Sequence, residues 1–407
     1  MNMLWPARSW TICGLLFLAT ALSFLDRQVL SVLAPLLTAE FSMSNTTYAR
    51  VVFAFVLSYT VMFAVGGRFM DLLGTRLGLA LSVGLWSAAS AAHACVNGPW
   101  GLGAARFFLG MGEGACFPAA TKGAVEWIPA ERRALAIGLA NGGSAFGAVL
   151  APPLTAWWTA AFGWRGAFLA TAIIGLVWLL AWQRAFQGWS TGLPATATHR
   201  TTGFRLLLSR PAVRRLLMAR FCFDPVFYFY MFWIPQYLSR ERGLSLADIG
   251  ALTWIPFFVL GVTNIAAGSL SDALVRRGWD PCRARICLML VAALLTPASG
   301  MASMASTVAM AVALMSVLMF AHGIWIANFI TLIGDTVASK DVGTVVGLTG
   351  ACGGFAGMVS SLLIGPVVDG YSFMPVFLIT ALLYPLAWLI LVIRRPTTMP
   401  LPAGEPL

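Results

Sequence analysis

Apolar runs of about 20 residues or more recur along the whole chain, separated by short stretches rich in glycine, proline and arginine. They fall at roughly 9–37, 47–70, 77–96, 99–126, 134–161, 165–186, 210–238, 247–270, 283–304, 307–333, 342–368 and 373–393. At about 1.5 Å per residue, about 20 apolar residues span the ~30 Å hydrocarbon layer of a bilayer as a helix. The pattern therefore predicts twelve transmembrane helices and no soluble domain. The first run shows no small-residue cleavage site before Asp26, so it reads as helix 1 and not as a removable signal peptide.

Against that background the polar positions stand out. Asp26 and Arg27 sit side by side within TICGLLFLATALSFLDRQVLSVLAPLL, and Arg106 and Glu113 lie within RFFLGMGEGACFPAA of the fourth run. A charge at bilayer depth costs a few kcal/mol, roughly, so it persists where it pairs, faces water or works. Arg106 and Glu113 are two helical turns apart and share a face. Asp26 lies about 15 Å from one end of helix 1 and Arg106 about 11 Å from the matching end of helix 4, so the two are expected to meet. A purely structural Asp–Arg lock between two helices is the plain reading. It leaves Arg27 and Glu113 without mates, and two acids with two arginines in one half-bundle instead suggest a proton-coupled carrier of an anion. The glycines around Glu113 (Gly110, Gly112, Gly114) leave it open to a substrate or a neighbouring helix.

Composition agrees and removes other classes. Of 407 residues, 59% are hydrophobic and only 10% charged, with mean hydropathy +0.83, where soluble domains carry roughly 25% charged residues. The net charge of +11 resembles a nucleic-acid footprint until it is mapped. Nineteen of the 26 lysines and arginines fall in the termini and the loops on their side, and only Arg50, Arg165, Arg240 and Arg242 fall in the opposite loops. That bias predicts both termini in the cytoplasm and makes the basic charge a topology signal, with no nucleic-acid partner. Seven scattered cysteines without CxxC spacing and three dispersed histidines imply neither a disulfide framework nor a metal site. Neither a P-loop nor a nucleophile triad is visible, so no enzyme activity or cofactor is expected. The sixteen tryptophans and many phenylalanines read mostly as lipid-facing or interfacial belt residues.

The chain also repeats itself. GRFMDLLGTR (Gly67 to Arg76) and GSLSDALVRRG (Gly268 to Gly278) each place an aspartate four residues after glycine and then an arginine, at an offset of 201 residues. Runs 5 and 11 are both glycine-rich, as close helix packing in lipid requires. The expected division is an N-terminal six-helix half at 1–186, a polar cytoplasmic linker at 187–209 and a C-terminal half at 210–407. Two such repeats around a central site are the usual logic of a secondary transporter. Asp71, Arg76, Asp272 and Arg276 then read as gating and capping charges on the inner face.

The GRFMDLLGTR loop resembles the cytoplasmic signature of the major facilitator superfamily. DRQVLSVLAP, the stretch around RFFLGMGEGACFPAATKGAVEWIPAERRALAIGL, and NGGSAFGAVLAPPL followed by FGWRGAFL together resemble its anion:cation symporter family. ARFCFDPVFYFYMFWIPQYL and LVRRGWDPCRAR are similar to the bacterial hexuronate branch. The resemblance covers essentially the whole chain. It implies the all-α major facilitator fold, with twelve transmembrane helices in two parallel six-helix repeats. It implies a multi-pass carrier of the bacterial inner membrane that imports a sugar acid such as glucuronate or galacturonate with protons, and that works as a monomer. Residue by residue, it implies Arg27 for the substrate carboxylate, Asp26 and Glu113 for the proton, and Arg106 as the partner of Asp26.

Tyr59, Asn141, Ser144, His322, Trp325 and Asn328 lie on helices that line the cavity in that fold. A sugar acid needs hydroxyl partners and an aromatic face besides a carboxylate anchor, and the buried amides of Asn141 and Asn328 are the better candidates. Arg220 and Asp224, spaced i, i+4, read as a structural ion pair. This chain departs from galactonate carriers in having Ser144 for a glutamine and Gly354 for an asparagine. It also departs in the order Glu131, Arg132, Arg133 after helix 4, and in AHGIW (Ala321 to Trp325) in helix 10. An aldonate, aldarate or aromatic acid is the nearest alternative substrate. A transport-dead nutrient sensor is the alternative from another class, and it would not need titrating acids.

Overall fold

The computed structural model describes residues 7–128, 133–186 and 203–393, and these form helices joined by short turns. Helix α1 spans Ala7–Glu40, α2 Asn45–His93, α3 Pro99–Glu113, α4 Cys116–Trp127 and α5 Arg133–Ala185. The second half holds α6 Phe204–Ser209, α7 Pro211–Arg242, α8 Leu246–Leu252, α9 Trp254–Arg276 and α10 Pro281–Leu295. The 3-10 stretch Thr296–Met304, α11 Val308–Thr336, α12 Ser339–Gly370 and α13 Met374–Val392 complete it. Local chemistry sets several ends. Proline opens α7 and α10, where its missing N–H is no loss, and Gly243 (φ 67°) closes α7 in the left-handed region.

Eight of the described helical stretches are long and apolar enough to cross a membrane. Two of them are too long for one crossing, since 49 and 53 residues would run roughly 75–80 Å. Each is instead two passes that turn at one glycine with positive φ, Gly74 (φ 73°) in α2 and Gly163 (φ 72°) in α5. The turn at Gly74 folds the chain back on itself: a Cβ on Gly78 would lie 2.6 Å from the Met70 sulfur. The fourth crossing is the broken pair α3–α4 and the seventh is α7, so the described residues form the twelve passes expected from the sequence. The expected loops after runs 2 and 5 are thus single-residue turns.

The same packing recurs in each half. The first pass lies on the fifth (α1 on α5) and the second on the fourth (α2 on α3), just as α7 lies on α12 and α9 on α11. Glycines make these approaches possible. Added Cβ atoms on Gly143 and Gly147 would strike the carbonyl oxygens of Phe17 and Ala21 on α1. Not all tryptophans face lipid as expected. Trp86, Trp178, Trp182 and Trp233 are buried, and the Nε1 groups of Trp178 and Trp182 donate to the carbonyls of Leu15 (2.8 Å) and Arg76 (2.9 Å), tying passes together.

The halves meet chiefly along α1 and α7, α2 and α12, and α5 with α8 and α9. Their hydrogen bonds cluster at one end. Pro235 in α7 has no N–H for the carbonyl of Met231, and Ser31 of α1 donates to that carbonyl at 2.7 Å. Tyr48 of α2 caps the next carbonyl, Phe232, at 2.8 Å, and Gln236 Nε2 reaches Thr38 (3.3 Å) and Asn45 (3.4 Å). The expected linker lies largely outside the described residues, of which 203–209 begin the second half. Both termini, Glu131 and Arg132 also lie outside them.

Candidate functional site

Helix geometry sends Asp26 and Arg27 apart, because consecutive residues on a helix point about 100° from each other. Arg27 turns inward and is buried. Its Nε and NH2 donate to Glu113 Oε2 at 3.1 and 3.0 Å. Ser23, one turn before Arg27, donates to the same oxygen at 3.1 Å. Glu113 reaches this point because α3 lies close against α2: Cβ atoms on Gly110 and Gly114 would strike the backbone of Phe55 and Tyr59. The guanidinium carbon lies 4.5, 5.2 and 4.3 Å from the ring centroids of Phe24, Phe55 and Tyr59. An arginine faced by rings and bonded on one edge is held as a cation with donors aimed in a fixed direction.

Asp26 turns the other way, toward the third and sixth passes. Its Oδ1 accepts from Ser90 at 2.9 Å, and Ser90 in turn meets Thr171 at 2.8 Å. Arg106 donates from NH1 to the carbonyl oxygen of Arg27 at 3.2 Å, while its Nε and NH2 and the Oδ2 of Asp26 have no hydrogen-bond partner among the described residues. The expected Asp26–Arg106 pair is therefore not formed, and Arg27 and Glu113, expected to lack mates, pair with each other. Comparable depth brings residues to one level, but the direction of each side chain around its helix decides who meets whom.

The expected substrate residues fall into separate clusters. Tyr59 stacks on Phe55 (5.7 Å, 18°) beneath Arg27. Across the interface, Phe55 meets Phe232 (5.9 Å), which stacks on Tyr228 (6.1 Å). On α5, Ser144 bonds the carbonyl of Asn141 at 2.7 Å, and Asn141 Oδ1 has no hydrogen-bond partner among the described residues. On α11, Trp325 packs edge-on to Phe223 (5.6 Å) and Tyr384 (5.1 Å). Asn328 Nδ2 bonds the carbonyl of Ile324 at 2.8 Å, and Trp325 Nε1 and Asn328 Oδ1 have no hydrogen-bond partner among the described residues. No hydrogen bond or ring contact links the α5 and α11 residues to Arg27 among the described residues. Buried polar atoms without partners are costly, about 1–3 kcal/mol each, which marks positions where a polar ligand would be welcome. His322 is already engaged, bonded to the Tyr384 hydroxyl and stacked on Phe227 (4.8 Å, 8°). Arg220 and Asp224 form the expected ion pair at 3.0 Å. A Cβ on Gly354 would meet the Thr60 side chain, so the asparagine of galactonate carriers has no room there.

The aspartates assigned to gating pair with cations outside that set. Asp71 binds Lys122 (2.7 Å), not Arg76, whose guanidinium lies 5.6 Å from the Phe186 ring. Asp272 binds Arg285 (3.2 Å), which also binds Asp335 (3.4 Å), while Arg276 is exposed. The first set ties the second pass to the fourth, and the second set ties together the counterparts of the second, third and fourth passes. Ser23, Ser90, Phe55 and Tyr228 were not picked out from the sequence. Only Ser23 carried a signal, one turn from Arg27 on the same face.

Residues 16–361 match the family model described as Major Facilitator Superfamily. The chain belongs to that superfamily. It is 28% identical over 390 residues to the hexuronate transporter of Escherichia coli (strain K12), covering 91% of this chain and 90% of that protein. It is 30% identical over 370 residues to the hexuronate transporter of Bacillus subtilis (strain 168), covering 87% and 86%. The crystal structure of a D-xylose-proton symporter superposes with a TM-score of 0.75 at 16% identity, covering 95% of this chain and 98% of that one. That likeness carries the fold, two parallel six-helix repeats. The protein is a multi-pass membrane transporter of the superfamily and not an enzyme.

Proposed function

We propose that this chain is a proton-coupled symporter that imports a sugar-acid monoanion, a hexuronate such as glucuronate or galacturonate. The observation that carries the reading is the buried Arg27–Glu113 pair among Phe24, Phe55 and Tyr59. Empty and with Glu113 ionised, the pair is neutral. When Glu113 takes a proton, Arg27 is left cationic with two donors free for a substrate carboxylate, and the site is neutral again with proton and anion both aboard. Charge balance in a low-dielectric site thus couples the two without further machinery. Of the two acids expected to carry the proton, Glu113 takes the principal part, and Asp26 keeps a supporting role through Ser90. Arg106 would steady the backbone of Arg27. Tyr59 supplies an aromatic face, and the unpartnered atoms of Asn141, Trp325 and Asn328, with Ser144, are the candidate hydroxyl partners. The names of the relatives support the choice of hexuronate.

The arginine-rich face is taken as cytoplasmic, with both termini there, in a bacterial inner membrane. The end where Ser31, Tyr48 and Gln236 join the halves is then the outer one, so this state is closed outward. Halves 1–186 and 210–407, linked by 187–209, would rock about Arg27 in a single chain. The Asp71–Lys122 and Asp272–Arg285 pairs would keep each half rigid at its inner face.

A thermal-shift series on the purified protein with uronates, aldonates and aromatic acids tests the substrate class. A ligand at 100 times its Kd stabilises the folded state by about 2.7 kcal/mol, so uronates should raise Tm. A shift with aldonates or aromatic acids and none with uronates would transfer the mechanism to another anion. Uronate binding without counterflow in proteoliposomes would favour the sensor.

A further inference from the structure

The transport cycle needs the outer ends of the halves to part and rejoin, and one carboxylate at that end is placed to control how often they do. Asp369 is in the last turn of α12, in the second half. Its Oδ1 accepts from the backbone N (2.9 Å) and the side-chain Nδ2 (2.8 Å) of Asn45. Its Oδ2 accepts from the backbone N (2.8 Å) and Oγ1 (2.7 Å) of Thr46. Asn45 and Thr46 open α2, in the first half, where helix N–H groups have no partner inside their own helix. Ser44 caps only Thr47 from its own side. The cap of α2 is therefore completed by a residue more than 320 positions away in the other half. The helix start also attracts negative charge, so geometry and electrostatics act together.

A second feature shows the contact to be built. One turn before Asp369, a Cβ on Gly365 would lie 2.7 Å from the Asn45 carbonyl oxygen and 2.7 Å from the Ala49 Cβ. Only glycine lets α12 come this close to α2. Asn45 in addition accepts from Gln236 of α7, so a single residue joins both α7 and α12 of the second half. Asp369 is exposed at this surface. Exposed charged contacts are weak enough to break in each cycle, as a gate requires.

We propose that Asp369 is the outer latch: by capping α2 from the opposite half it holds the outward-closed state and sets the balance between that state and the open one. The proposal rests on the alternating-access reading, but not on which anion is carried. The test uses double electron–electron resonance with spin labels at Arg50→Cys and Arg240→Cys, exposed positions at the outer ends of the two halves. The seven native cysteines are replaced and no substrate is added. The parent should show a dominant short distance. Asp369→Ala should move at least threefold more of the population to a longer distance. Thr46→Val, which keeps the side-chain shape and removes one donor, should shift it less in the same direction and serves if Asp369→Ala does not fold. Unchanged distance distributions in the folded variants would overturn the latch. A shift in a protein that neither binds nor exchanges any anion would uphold the latch and overturn the transport reading, so the two failures are distinguishable.

Discussion

Glu113→Gln is the substitution with the most to say about coupling. The amide keeps the size of the acid and an oxygen that accepts from Arg27, but it neither bears charge nor releases a proton. In the parent, Glu113 Oε2 lies 3.0 Å from Arg27 NH2, a separation at which two unit charges attract by about 5.5 kcal/mol at an effective dielectric of about 20. That gross attraction is what a substrate carboxylate must displace when Glu113 is ionised. If a quarter to a half of it survives desolvation, removing the charge strengthens anion binding by about 1.4–2.8 kcal/mol, which is roughly 10- to 100-fold in Kd. The faces of Phe24, Phe55 and Tyr59 remain to hold the guanidinium. The assay is paired: Kd by calorimetry from pH 8 to 6, and counterflow against accumulation in proteoliposomes. The variant should bind more tightly than the parent at pH 8, the gap should narrow as pH falls, and counterflow should persist while proton-driven accumulation is lost. A variant that still concentrates substrate down a pH gradient, or that binds more weakly at pH 8, would refute the reasoning and leave Glu113 a structural partner of Arg27.

Arg27→Ala should abolish uptake and saturable binding, and Arg27→Lys should recover little, since a point charge does not reproduce two fixed parallel donors; lysine transport equal to the parent would remove the anchor assignment. Uptake should rise as external pH falls from 8 toward 6, because the proton is a co-substrate, and collapse with a protonophore. Indifference to both would make the protein a uniporter.

The membrane class, the twelve passes, the repeat and the four unusual charges of the first half were all legible in the chain. Each rests on a one-dimensional quantity: the length of an apolar run, the side on which arginines accumulate, or a spacing that returns after 201 residues. These follow from the cost of exposing polar groups to lipid, which acts on each segment separately. The partners of those charges were not legible. Depth along two helices predicted Asp26 with Arg106, but rotation about each axis sends Asp26 to Ser90 and Arg27 to Glu113. That rotation is set by where glycines let helices touch, at Gly110 and Gly114 on α2 and at Gly143 and Gly147 on α1. The same limit hid the outer latch, for Asp369 reads in sequence as a charge at a helix end, and only the packing of α12 on α2 brings it to Asn45 and Thr46. Sequence alone determined what each segment had to be in a bilayer. Tertiary structure decided which polar groups face one another, because in lipid that choice depends on close backbone contact between helices far apart in the chain.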